Sequence, residues 1–114
     1  MKRFPPIPAD VRQQVTERGM WMCSMPSCFE RTTEIAHRIA QTWANVRFVR
    51  RFIAEEYGAD VDNNWVIYNI IHHPQNLCLS CRAHNDSFNI GNRPEQVKEL
   101  VRQILDSEIP RMSA

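Results

Sequence analysis

The stretch HHPQNLCLSCRAHNDSFNIG, residues 72–91, sets three His, two Cys and three Asn within twenty positions. Polar side chains at that density, broken only by a short apolar run, point to a site built for metal, chemistry or both. NLCLSC reads as a short strand, and HNDSFNIG as one or two helical turns ended by Gly91. His72 and His73 lie in the loop that leads into Asn76, from which they could contact phosphate or metal.

The same stretch holds half of a metal-ligand pattern, and the other half lies far upstream. CSMPSC, residues 23–28, places Pro26 between two cysteines, and a tight Pro-containing turn brings both thiols around one point. Zinc takes four ligands tetrahedrally, and two short-spaced pairs from distant parts of a chain supply them. Cys23 and Cys28 form one pair. The second is Cys78 with Cys81 or Cys81 with His84, and spacing alone accepts both.

Composition fits that reading. The chain has 114 residues, 43% of them apolar, and a net charge of +1. One domain with a small core is expected, and at this size a metal staple helps to hold it together. MKRFPPIPAD turns to prolines where a signal peptide would continue with an apolar run, no later run approaches a membrane span, and a cytoplasmic protein is expected. In a reducing compartment, paired cysteines serve as metal ligands more often than as disulfides. The charge is uneven. Residues 1–53 carry nine Lys and Arg against four Asp and Glu, whereas residues 54–114 carry five against nine. The N-terminal half is therefore the expected phosphate-facing side.

Working outward, PADVRQQVTERG predicts a short helix, with Val11 and Val15 one turn apart and Gly19 just past its end. TTEIAHRIA alternates as a strand, with Thr33, Ile35, His37 and Ile39 on one face. TWANVRFVRRFIAEEYG predicts a helix with Val46, Val49, Ile53 and Tyr57 on one side, edged by Arg47, Arg50 and Arg51 and closed by Gly58. WVIYNII, residues 65–71, reads as a strand or a buried segment. Pro94 opens a last helix, to about residue 107, whose Val97, Leu100, Val101, Ile104 and Leu105 form one apolar stripe. MKRFPPIP and SEIPRMSA read as loose tails.

The order of these parts resembles the HNH endonucleases of the ββα-metal superfamily: a knuckle, a strand with His, a strand beginning with Asn, a second knuckle and a short helix starting with Asn. The resemblance covers roughly residues 20–91. It implies an α+β fold, a small ββα-metal core with a zinc knuckle flanked by additional helices, in a single domain over residues 1–114. NLCLSCRAHN matches the family string with His84 in place of its second cysteine. The resemblance thus implies structural zinc on Cys23, Cys28, Cys81 and His84, and leaves Cys78 as a strand residue.

The activity it implies is hydrolysis of DNA phosphodiesters, most naturally in double-stranded DNA, with Mg²⁺ or Mn²⁺. His37, whose ordinary pKa of about 6.5 lets it accept a proton from water, takes the role of general base. Asn76 would hold the His37 imidazole in place through a backbone carbonyl. Asn85, with Asn89 four residues on, would offer amide oxygens to the hard cation. The position before His37, where the family often carries an Asp or His ligand, is Ala36, and the long run from His37 to Asn76 implies an insertion carrying the Arg-edged helix. The rival expectation is a zinc-knuckle DNA-binding or adaptor module without catalysis.

Overall fold

The computed structural model describes residues 4–61 and 64–113. Its first helix, α1 (Ala9–Arg18), starts after Pro8, with Asp10 in the first turn and Arg18 in the last, each sign matched to the helix dipole. Only Val15 and Thr16 of α1 are buried. The helix stops where Gly19 meets the sheet: a Cβ there would lie 2.6 Å from Leu79 Cδ1. Close approach of a helix end to a strand, rather than a special φ, is therefore what this glycine permits. Met20 and Trp21 follow in left-handed conformation, at φ 55° and 57°. Hydrogen bonds from Trp21 N–H to the Thr16 carbonyl and from Thr32 N–H to the Trp21 carbonyl hold this strained reversal.

The chain then forms the first knuckle, closed by a bridge between Met22 and Arg31. Strand β1 (Ile35–His37) pairs antiparallel with β2 (Leu77–Leu79), with Ile35 opposite Leu79, Ala36 opposite Cys78 and His37 opposite Leu77. The expected alternation holds over these three residues only: Ala36 is buried, and Ile35 and His37 are half-buried. Ile39 leaves the strand and enters the helical core. The two strands and the surrounding helices make a small α+β fold.

Helix α2 (Trp43–Tyr57) is capped by Thr42, whose side chain accepts from Asn45 N–H, and is ended by Gly58 at φ 64°. Val46, Val49, Phe52 and Ile53 are its buried face, whereas Tyr57 is exposed. The segment expected as a strand or buried segment, residues 65–71, is helical: α3 runs Asn64–Ile71 and buries Ile67, Ile70 and Ile71 at helical spacing. Its β-branched composition favours a strand locally, and packing against α2 and α4 decides otherwise. Helix α4 (Pro94–Ser113) opens on proline, buries Val97, Leu100, Val101 and Ile104, and continues beyond the expected end near residue 107.

The apolar core is centred on α2, α3 and α4, with Ile39 and Ile90 added from the loops. Val15, Ala36, Leu77 and Leu79 are buried outside that cluster, Leu77 and Leu79 on the sheet face that the end of α1 approaches at Gly19 and Ala36 on the opposite face. The N-terminal segment is no loose tail from Phe4 onward. The Phe4 ring packs 4.6 Å from Trp43 and 5.7 Å from Tyr68, centroid to centroid. Met1–Arg3, the start of the expected tail, and Ala114 lie outside the described residues. No helix among the described residues is long and apolar enough to cross a membrane.

Candidate metal centre and histidine cleft

Cys23, Cys28, Cys81 and His84 come together with their ligand atoms within 4.8 Å of one another, and could hold a metal ion such as zinc. Cys23 Sγ is 3.6 Å from His84 Nδ1, Cys81 Sγ is 3.3 Å from the same nitrogen, and Cys28 Sγ is 4.0 Å from Cys81 Sγ. A zinc tetrahedron with ordinary Zn–S and Zn–N bonds has edges of about 3.8 Å between sulfurs and about 3.6 Å between sulfur and nitrogen. The donor set fits that ion in both chemistry and spacing.

The backbone builds this cluster from both sides. The Cys23 N–H donates to the Glu30 carbonyl, the Ser24 N–H to Leu79 on β2, and the Cys28 N–H to Met25, whose turn includes Ser27 at φ 67°. A 3₁₀ helix over Arg82–Phe88 then carries His84 back over Cys81. Burial pushes the Cys23 thiol up, but hydrogen bonds at the Cys81 and Met25 backbone and from His84 outweigh it and bring its pKa down to about 6. A thiol so placed is readily the thiolate that zinc requires. Cys78 stands apart from the cluster. It lies on β2 opposite Ala36, and burial raises its thiol pKa.

A second assembly gathers around His37. His37, at the C-terminal end of β1, lines a cleft of about 310 Å³ with Asn85 and Asp86 from the 3₁₀ helix, Asn89 just after it and Arg12 from α1. Three residues expected to act together, His37, Asn85 and Asn89, are thus gathered around one cleft. Asn85 and Asn89 do not share a helix face, because the 3₁₀ helix ends at Phe88 and Asn89 is extended. The Asn89 Oδ1 accepts from Gly91 N–H at 2.8 Å. The side chains of Asn85 and Asp86 make no hydrogen bond among the described residues. Arg12 and Asp86 carry charge in the cleft and went unnoticed in the sequence. The adjacency of Asp86 to Asn85 was the available signal, whereas Arg12 sits in a helix with no local mark of function.

Burial pushes the His37 pKa down from 6.5 to about 4, with the His72 ring and the Arg12 guanidinium adding to the effect. His37 is therefore neutral at physiological pH. Its Nε2 lies 3.1 Å from His72 Nδ1, and His72 Nε2 lies 2.8 Å from the Pro5 carbonyl oxygen. Asn76 is outside the cleft, fully buried beneath it. Its Oδ1 accepts from Ile39 N–H at 2.7 Å, and its Nδ2 donates to the Ile39 and Ile71 carbonyls at 3.1 and 2.7 Å. The amide therefore ties the chain two residues after His37 to the chain one residue before His72.

His73 faces elsewhere: its Nδ1 accepts from Gln75 N–H at 3.1 Å, and its Nε2–H donates to Glu108 Oε1 at 2.9 Å. Arg47 and Arg51 are exposed on α2, Arg50 is half-buried, and none of the three lines the cleft. Arg18 is a staple, donating to the Pro74 and Leu77 carbonyls at 2.7 to 3.2 Å. No protein-family model matches the chain, and neither does a curated protein or a solved structure.

Proposed function

We propose that the protein is an HNH-type endonuclease that hydrolyses DNA phosphodiester bonds with a divalent cation, Mg²⁺ or Mn²⁺. The observation that carries this reading is the cleft in which neutral His37 meets Asn85, Asp86, Asn89 and Arg12 at the end of a two-stranded sheet. The Cys23, Cys28, Cys81 and His84 cluster holds zinc in a structural role, fixing the 3₁₀ segment that carries Asn85 relative to the sheet.

His37 accepts the proton of the attacking water, which becomes the nucleophile at phosphorus. Asn85 and Asn89 offer amide oxygens to the cation, and the Asp86 carboxylate supplies the charge that Ala36 does not. Bound there, a hard divalent ion would stabilise the charge developing on the phosphorane and on the leaving 3′-oxygen. Arg12, across the same cleft, orients a non-bridging phosphate oxygen. Asn76 holds the backbones on which the base and its neighbour are mounted.

Plasmid nicking by zinc-loaded protein with added Mg²⁺ or Mn²⁺ tests the reading. Cleavage should disappear in His37→Ala, while zinc content, thermal stability and DNA binding remain. Asn85→Ala should also lose activity, with partial rescue by excess cation that His37→Ala does not share. If His37→Ala cuts at the wild-type rate, the assignment fails. The non-catalytic adaptor reading would then lead, favoured by Met20, Trp21 and Phe29, which stand exposed around the first knuckle.

A further inference from the structure

We propose that His72 is a positioning residue for His37, locking it in the tautomer that carries its proton on Nε2 and leaves Nδ1 to accept the proton of water. This rests on the reading of His37 as general base, and assigns a role to a side chain that reading leaves unused.

The argument begins at Pro5, whose carbonyl oxygen can only accept. The 2.8 Å contact from His72 Nε2 therefore requires a proton on that nitrogen. A neutral His72 then has a bare Nδ1, which lies 3.1 Å from His37 Nε2. Two lone pairs cannot face each other at that distance, so His37 carries its own proton on Nε2, and Nδ1 is its lone-pair nitrogen. The His37 ring has no other hydrogen bond among the described residues.

Three features make the arrangement rigid. His72 is 5% exposed and Asn76 is wholly buried. Asn76 ties the peptide before His72 to the peptide two residues after His37. Pro5 is held by its neighbour Phe4, which is packed between Trp43 and Tyr68. The charged groups that face His37 are Arg12 from α1 and, across the cleft, Asp86. During the reaction the water proton moves to His37 Nδ1. The imidazolium so formed keeps its Nε2–H bonded to neutral His72, and no second proton need move.

Long-range ¹H–¹⁵N correlation spectra of ring-labelled histidines in the zinc-loaded chain test this directly. At neutral pH the wild-type protein should show His37 and His72 both protonated on Nε2. In His72→Phe the His37 signal should become a mixture of tautomers, and kcat for plasmid nicking should fall roughly ten- to a hundred-fold, with KM unchanged. His72→Gln, whose amide can both donate and accept, should recover part of the loss. Should His72→Phe not fold, Phe4→Ala loosens the Pro5 acceptor at the periphery and should produce the same mixture in weaker form. A proton on His37 Nδ1 in the wild type overturns the inference, as does a tautomer population untouched by these substitutions. If the spectra are as expected and no form of the protein cleaves DNA, the ordering of the two histidines stands and the nuclease reading alone falls.

Discussion

Asn76 is a polar side chain with no exposed surface, and all three of its side-chain hydrogen bonds go to backbone groups. Asn76→Ala would leave the Ile39 N–H and the Ile39 and Ile71 carbonyls short of partners, for a loss of about 3–5 kcal/mol in urea unfolding. A loss under about 1 kcal/mol would show that the clamp contributes little. His37 makes a separate claim on stability. The unfolded chain takes up its proton near pH 6.5 and the native protein only near 4. Across that window the unfolded state binds more protons, so native stability falls as the pH falls. His37→Gln should therefore lose less stability than the wild type between pH 6.5 and 4. Parallel stability curves for the two proteins would contradict the burial of the ring.

Among the elements, α1 meets β2 closely at Gly19. Gly19→Ala would press its methyl group onto buried Leu79 and should cost about 1–3 kcal/mol, although its φ of −81° suits alanine. Thermal unfolding that matches the wild type would mean that Leu79 yields freely. Helix α2 carries a different prediction. If its basic edge touches phosphate, replacing Arg47, Arg50 and Arg51 by Ala should weaken binding across DNA sequences and reduce the salt slope by about 0.9 per lost contact. An unchanged slope would leave α2 as a cover for the core.

Much of this level was legible in the residues. Thr42, Gly58 and Pro94 mark helix ends by local chemistry, and the α4 stripe repeats often enough to declare its period. The β1 alternation misled beyond His37, because Asn76, distant in sequence, captures both backbone groups of Ile39 and turns the chain inward. WVIYNII misled because eight helical residues leave too short a pattern to outweigh their β-branched composition. The four-residue cluster was legible from spacing with the order of motifs, while the His37 and His72 contact needs α3 and the N-terminal segment in place at once.

For the molecule as a whole, the cluster joins residues 23–28 to residues 81–84, and the main apolar core lies away from it in α2, α3 and α4. Chelation should therefore loosen α1, the sheet and the 3₁₀ segment first. Amide exchange should rise there while α2 and α4 stay protected. Uniform loss of protection would mean one cooperative unit. His84→Ala should mimic the chelator, whereas Cys78→Ser should keep its metal, as zinc analysis of the purified variants would show. The sulfur geometry has a further, redox consequence. Cys28 and Cys81, whose Sγ atoms are 4.0 Å apart, are 53 residues apart in sequence. Peroxide that removes two electrons from this pair would expel zinc yet leave a disulfide in its place, closing the same loop with a contribution of about 4 kcal/mol against unfolding. Oxidised protein should thus be metal-free but still folded, with Cys28 and Cys81 recovered in one cross-linked peptide.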